Sequence, residues 1–270
     1  MLQELTNELQ RTQFGLIQAL TAITRCRQRI ATLEAGNVCR ESGVMPAFPI
    51  DFRAQFAEDQ VVWEALGRPT SGFFIEAGAF DGRSFSVTYA LEAMGWTGLL
   101  VEPHPVRSEE CRRNRPRSRV VQTVLSAPGT KPSVEFVMVE DRYGGMLSYV
   151  PGSSQHAASI DKQNAVRTNV TVPACTLDSL LADHRGPIDL VSLDVEGHEV
   201  EALRGFSLSK WKPRLLLIED DQNNPREDIS RHMHDQPYRH ACWVECNRLY
   251  ITNAEPHLVD GLARALMMDT

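Results

Sequence analysis

The sequence predicts an α/β protein: a doubly wound, mostly parallel, Rossmann-like sheet closed by an antiparallel hairpin and preceded by a helical extension. Three observations carry this. From residue 72 onward, short apolar runs alternate with amphipathic stretches, the pattern of repeated strand–helix units. Runs such as GLLV (98–101) and LLLI (215–218) are apolar throughout, so they need cover on both faces, as strands of a parallel sheet do. The first run ends at an acid and turns through glycines, in GFFIEAGAFDG (72–82). Such a turn lets the backbone pass close to a bound molecule.

The elements follow in order. Residues 1–35 read as one helix with a seven-residue repeat: Leu2, Leu9, Leu16, Ile23 and Ile30 form one seam. Leu5, Thr12, Ala19, Cys26 and Leu33 form its companion. Arg29 and Glu34 have the spacing of an interchain pair in a parallel coiled coil. Two readings stand: self-association into a homo-oligomer, or an amphipathic helix lying on its own domain. Residues 36–68 read as a linker and a helix. Gly36, Gly43, Pro46 and Pro49 interrupt 36–50, and a helix capped by Asp51 follows over 51–66. Residues 69–270 hold the sheet. Strands are expected at 72–77, 98–102, 119–126, 133–139, 188–194 and 213–220, the fourth within a hairpin. Helices are expected at 84–95, 105–115, 176–184 (capped by Thr176), 198–205 and 226–234, with a terminal hairpin over 238–252.

Composition excludes several classes. A net charge of −7 argues against a nucleic-acid partner, although RRNRPRSR (112–119) reads as a local basic patch. Six scattered cysteines form no framework of the small secreted kind. Cys242 and Cys246 beside His240 invite a zinc reading, but no second ligand pair follows, so buried thiols are expected. No run is long and apolar enough for a membrane span, and the N-terminus lacks a signal-peptide core. A reducing, cytoplasmic location follows.

Ligands of such sheets bind beyond the carboxyl ends of the strands. Those ends present Glu76, Gly78, Asp81 and Gly82, then Glu102 and Pro103, then Leu125 and Ser126, then Asp194 and Glu196, then Glu219. Glu102 lies where an acid can accept bonds from two ribose hydroxyls. The G-x-G-x-x-G fingerprint is absent, which speaks against a dinucleotide and hence a dehydrogenase. A nucleoside without pyrophosphate remains, and Glu76 suits a positively charged one. S-adenosylmethionine meets both conditions.

The segments FIEAGAFDGRSFSVTYALEAMGWTGLLVEPHP, IDLVSLDVEGHEVEALRGF and KPRLLLIE resemble the FkbM-type methyltransferase family over about residues 70–252. The D-x-E-G-x-E element at 194–199 is the most specific part. The resemblance implies a class I methyltransferase fold, S-adenosylmethionine as donor, and O-methylation of a small acceptor, a sugar or natural product. It maps Glu76, Gly78, Asp81, Gly82 and Glu102 to the cofactor pocket, with Ala79 and Pro103 beside them and Ser126 at the adenine edge. Asp194 falls between cofactor and acceptor.

Methyl transfer to oxygen needs close approach and an exit for the hydroxyl proton. Two arrangements fit the residues. In one, His198 or His104 is the base, backed by Asp194. In the other, Asp194, Glu196 and Glu219 hold Mg²⁺ or Mn²⁺, which lowers the hydroxyl pKa. Glu199 and Glu201 read as a solvated helix face. Within the long segment 127–172, Tyr143 and Ser148 are candidates for acceptor contact. DQPY (235–238) lies after the wrong strand for a nucleic-acid amino-methylating element and reads as a turn. A rival from another class is a binding or scaffold module that works through its N-terminal coil.

Overall fold

The structure is a computed structural model and describes residues 2–140, 144–152 and 165–267. The strands are β1 (Phe73–Ala77), β2 (Thr97–Val101), β3 (Arg119–Val121), β4 (Val124–Leu125) and β5 (Ser133–Glu140). They continue as β6 (Val166–Cys175), β7 (Leu190–Leu193), β8 (Leu215–Glu219), β9 (Tyr238–Val244) and β10 (Asn247–Thr252). The main sheet runs β3-β2-β1-β7-β8-β10-β9. Its first five strands pair in parallel, and β10 and β9 close it as an antiparallel hairpin. The chain builds outward from β1 to β3, then returns to place β7 on the other side of β1. Chain order therefore reverses between β1 and β7, and a crevice opens at their carboxyl ends. A small second sheet, β4-β6-β5, stands beside this edge.

Helices α1 (Leu2–Glu41), α2 (Glu58–Ala65), α3 (Tyr89–Met94), α4 (Pro105–Asn114) and α5 (Leu177–Leu180) are followed by α6 (Glu199–Arg204) and α7 (Leu208–Trp211). Helices α8 (Glu227–His234) and α9 (Leu258–Met267) complete the set. The apolar strands have cover on both faces, as their composition requires. Phe74, Leu100, Leu215 and Leu217 pack with Trp63, Leu91, Met94, Trp96 and Leu262 on one side. Ile75, Val101, Val191, Leu216 and Ile218 pack with Leu177, Leu203 and Ile229 on the other. Among the described residues no helix is long and apolar enough to cross a membrane.

Four expectations change. The first helix does not stop near 35. It runs to Glu41, because Ala31, Ala35 and Cys39, at successive turns, are buried in the first core layer. The helix expected over 51–66 shrinks to α2. Asp59 is fully buried and accepts bonds from the amides of Arg53 and Ala54, which holds the preceding chain out of helix, and Asp51 pairs with Arg53 instead of capping. The helix expected from 84 starts at Tyr89, because Ser86, Val87 and Thr88 are drawn onto Glu76. The strand expected over 119–126 splits: β3 edges the main sheet, while β4 leaves it to pair with Ala174 and Cys175.

The run at 112–119 is not a uniform basic surface. Arg115 is 1% exposed and lies beneath the glycine turn. It donates to Glu92 at 2.8 Å, to the Gly82 carbonyl at 3.1 Å and to Thr88 Oγ1 at 2.8 Å, and stands 3.4 Å from Glu76. Cys242 lies within β9 and Cys246 in the turn that follows, and burial pushes their thiols up to about 11 and about 12. Tyr238 of DQPY opens β9, and its hydroxyl donates to the Pro213 carbonyl at 2.7 Å.

Candidate active site

The crevice is built by direct contact between two strand ends. The Asp194 amide donates to the Ala77 carbonyl at 3.0 Å. Gly78 has φ +81°, and a Cβ there would lie 1.6 Å from the Asp194 carbonyl oxygen. A side chain would force β1 and β7 apart, so glycine is required by contact as well as by conformation. Gly82, at φ +74°, is crowded the same way: a Cβ there would lie 2.7 Å from both Cys111 Sγ and Arg115 Cγ. The amides of Gly78 and Ala79 both donate to the Val101 carbonyl, at 2.9 and 3.1 Å. This turns the chain across the end of β2.

Three cavities meet here. A slot of about 50 Å³ is lined by Gly78, Glu102, Pro103, Asp194, Glu196 and His198, with apolar walls from Val101, Leu125 and Phe136. A second cavity of about 80 Å³ shares Gly78, Asp194 and Glu196 and adds Glu76 and Ala79. A cleft of about 970 Å³ opens outward from His198, Glu219 and Arg226. The structure thus gathers residues from β1, β2, β7 and β8 that are far apart in sequence.

Glu102 ends β2, faces the slot and is 6% exposed. It accepts from the Phe80 amide at 2.7 Å and the His104 amide at 2.8 Å. Burial raises its pKa to about 7, against the lowering pull of those two amides and of Arg107. Each carboxylate oxygen keeps a lone pair for a further donor.

Other expected residues take different parts. Glu76 holds the chain that follows the glycine turn: it accepts from Ser86 Oγ and the Val87 amide, each at 2.9 Å, and from Thr88 Oγ1. Asp81 pins the turn itself, accepting from the amides of Arg83 at 2.8 Å and Ser84 at 2.6 Å. Ser126 is buried behind the slot, its amide donating to the Cys175 carbonyl, and Leu125 forms the wall in its place. His104 caps α4, with Nδ1 accepting from the amides of Val106 and Arg107 at 3.3 and 3.5 Å. His104 lines none of the three cavities. Ser148 borders the slot, but its hydroxyl donates to the Gly145 carbonyl at 2.6 Å. Tyr143 lies outside the described residues.

The turn after β7 carries the titratable groups. Glu196 and Gly197 have φ of 56° and 91°, two left-handed residues in succession that bring His198 back to the slot. Strained positions of this kind gather at functional sites. Glu199 is 0% exposed, not part of a solvated face. Its Oε1 accepts from the amides of Val195 at 3.1 Å and Gly197 at 3.0 Å, and its other oxygen pairs with Arg226. Burial, then the charge of Glu219, raises its pKa to about 7. This clamp fixes the turn. Sequence reasoning missed it, because Arg226 reaches it from beyond β8.

Asp194 is enclosed by the walls of the two small cavities and opens onto solvent through them. That enclosure, then the charges of Glu219 and Glu196 and a hydrogen bond to Glu219, raises its pKa well above the ordinary aspartate value. Burial lowers the pKa of His198 below 6.5, and nearby Arg226 adds to this against the pull of Glu201. The imidazole is therefore neutral at pH 7 and able to accept a proton. Among the described residues no group of three or more His, Cys, Asp and Glu side chains is arranged to hold a metal ion. Asp194, Glu196 and Glu219 do not make a ready metal cage.

Residues 76–240 match the family model of the methyltransferase FkbM domain. The match spans the glycine turn, Glu102 and the D-x-E-G-x-E turn together. No curated protein matches the chain.

Proposed function

The chain belongs to the FkbM methyltransferase family, and from that premise we propose that it methylates a hydroxyl oxygen of a sugar or glycoconjugate, with S-adenosylmethionine as donor. The observation that carries this is the shared slot: Gly78, Glu102, Asp194 and His198 line one cavity, and His198 also borders the large cleft.

The chemistry of the slot fits an adenosine. Glu102 supplies a buried carboxylate for the ribose hydroxyls, and Val101, Leu125 and Phe136 supply apolar walls for a flat base. Ligand pockets usually hold about 300–1,000 Å³, so the walls around Ser148 and Val150 must draw back for entry. Bound S-adenosylmethionine supplies an electrophilic methyl carbon on a sulfonium centre. The cleft suits a polyhydroxylated acceptor: Glu201, Asp221, Asn224, Arg226 and Asp228 offer hydrogen-bonding groups.

His198 takes the proton of the acceptor hydroxyl as that oxygen becomes the nucleophile. Asp194, hydrogen-bonded to Glu219, orients the same hydroxyl from the floor of the crevice. Glu199 and Arg226 hold the turn that carries both residues. Transfer of a labelled methyl group from S-adenosylmethionine to a panel of sugars tests the reading. A methyl ether is the expected product, and Asp194→Ala should slow its formation by at least about 100-fold. An unchanged rate in that variant would remove the crevice from the reaction. Labelling confined to amines would overturn the hydroxyl acceptor.

A further inference from the structure

Residues 4–23 of α1 are exposed along their whole length. The helix docks through its last turns, where Ala31, Ala35 and Cys39 are buried and Gln28 Nε2 donates to the Ala54 carbonyl at 2.7 Å. The heptad seam does not share that face. Leu5, Leu9, Leu16 and Ile23 are 54–60% exposed, and beside the docked turns Ile30 and Leu33 are still 49% and 71% exposed. From Leu5 to Leu33 the apolar seam therefore points away from its own domain, and the described residues of the domain do not cover it.

We propose that this seam joins two copies of the chain as an antiparallel two-helix coiled coil. Seven-residue spacing is the signature of a seam that fits another helix. Size agrees: from Leu5 to Leu33 the seam is about 43 Å long at ~1.5 Å per residue. Two helices each about 10 Å wide then bury on the order of 1,000 Å², the area that specific interfaces need.

Charge selects the direction. A parallel pair would match Arg29 with the partner's Glu34, but Glu34 already bridges Arg68 of its own chain at 3.2 Å. The antiparallel register sets Leu5 against the partner's Ile30, Leu9 against the partner's Cys26, and Leu16 against the partner's Ala19. Glu8 then flanks the partner's Arg29, and such flanking charges fix orientation.

Sedimentation and oxidative cross-linking of the full chain test this. The wild type should sediment as a dimer at tens of micromolar. Leu9→Glu with Leu16→Glu, both at exposed positions, should give a monomer with an unchanged melting temperature. A monomeric wild type, or a dimer that survives the double substitution, overturns the proposal. Copper-phenanthroline oxidation reads the direction. Leu9→Cys should give a covalent dimer that Cys26→Ser abolishes, while the wild type stays uncross-linked. A wild-type dimer linked through Cys26 of both copies, or a Leu9→Cys dimer that persists with Cys26→Ser, overturns the antiparallel arrangement.

Discussion

Arg115→Met is expected to lower stability by about 3–5 kcal/mol, the usual cost of stranding a buried charge. For a domain of this size that is a fall of about 6–20 °C in melting temperature. The side chain is 0% exposed and stands between Glu92, also 0% exposed, and Glu76. Methionine fills much of the same volume but removes the donors to both acids, to the Gly82 carbonyl and to Thr88. Glu92 would retain hydrogen bonds from the Arg117 amide and the Ser118 hydroxyl, which are too few to replace a guanidinium. Calorimetry of the two proteins gives the difference directly. A change under about 1 kcal/mol, within the range of surface substitutions, would show that the buried network is not what fixes the glycine turn.

His198→Ala is expected to lower kcat by about 10²–10⁴-fold, the range for loss of a general base. Cofactor affinity should change far less than kcat, because His198 only borders the slot while Glu102 and the apolar walls are untouched. The pH dependence gives a second readout. Activity of the wild type should fall as pH drops through the His198 pKa, which lies below 6.5 because the ring is buried. The variant should lose that limb, and added imidazole should restore part of the rate. Measured turnover within tenfold of wild type would pass the role of base to Asp194, whose raised pKa also suits proton transfer.

The parallel strands were legible because each is a short apolar run with no polar face, a pattern that only double cover explains. Gly78, Glu102 and Asp194 were legible because they sit at strand ends, and topology carries strand ends to one rim. What was hidden depended on contacts between distant segments. Arg115 sits in a basic run that reads as surface, and its burial follows from acids at 76 and 92 that the fold brings to it. Glu199 opens a short helix, where acids are ordinary, and only its bonds to the Val195 and Gly197 amides and to Arg226 mark it as a clamp. His104 did carry a local signal: Pro105 follows it at the first helical position, the mark of a cap. The heptad was visible in sequence, but the face it uses was not. That required the docked turns at Ala31, Ala35 and Cys39.

The proposed cofactor binding rests on Glu102 holding a ribose in the slot beside Gly78 and Asp194. Calorimetric titration of S-adenosylmethionine at pH 8, above the pKa of about 7 that burial gives Glu102, tests it most directly. The wild type should bind with one site per chain. Glu102→Ala should weaken binding at least about tenfold, since a hydrogen bond to a charged group contributes about 1.5–3 kcal/mol. No heat of binding in the wild type, or equal affinity in the variant, would contradict the account.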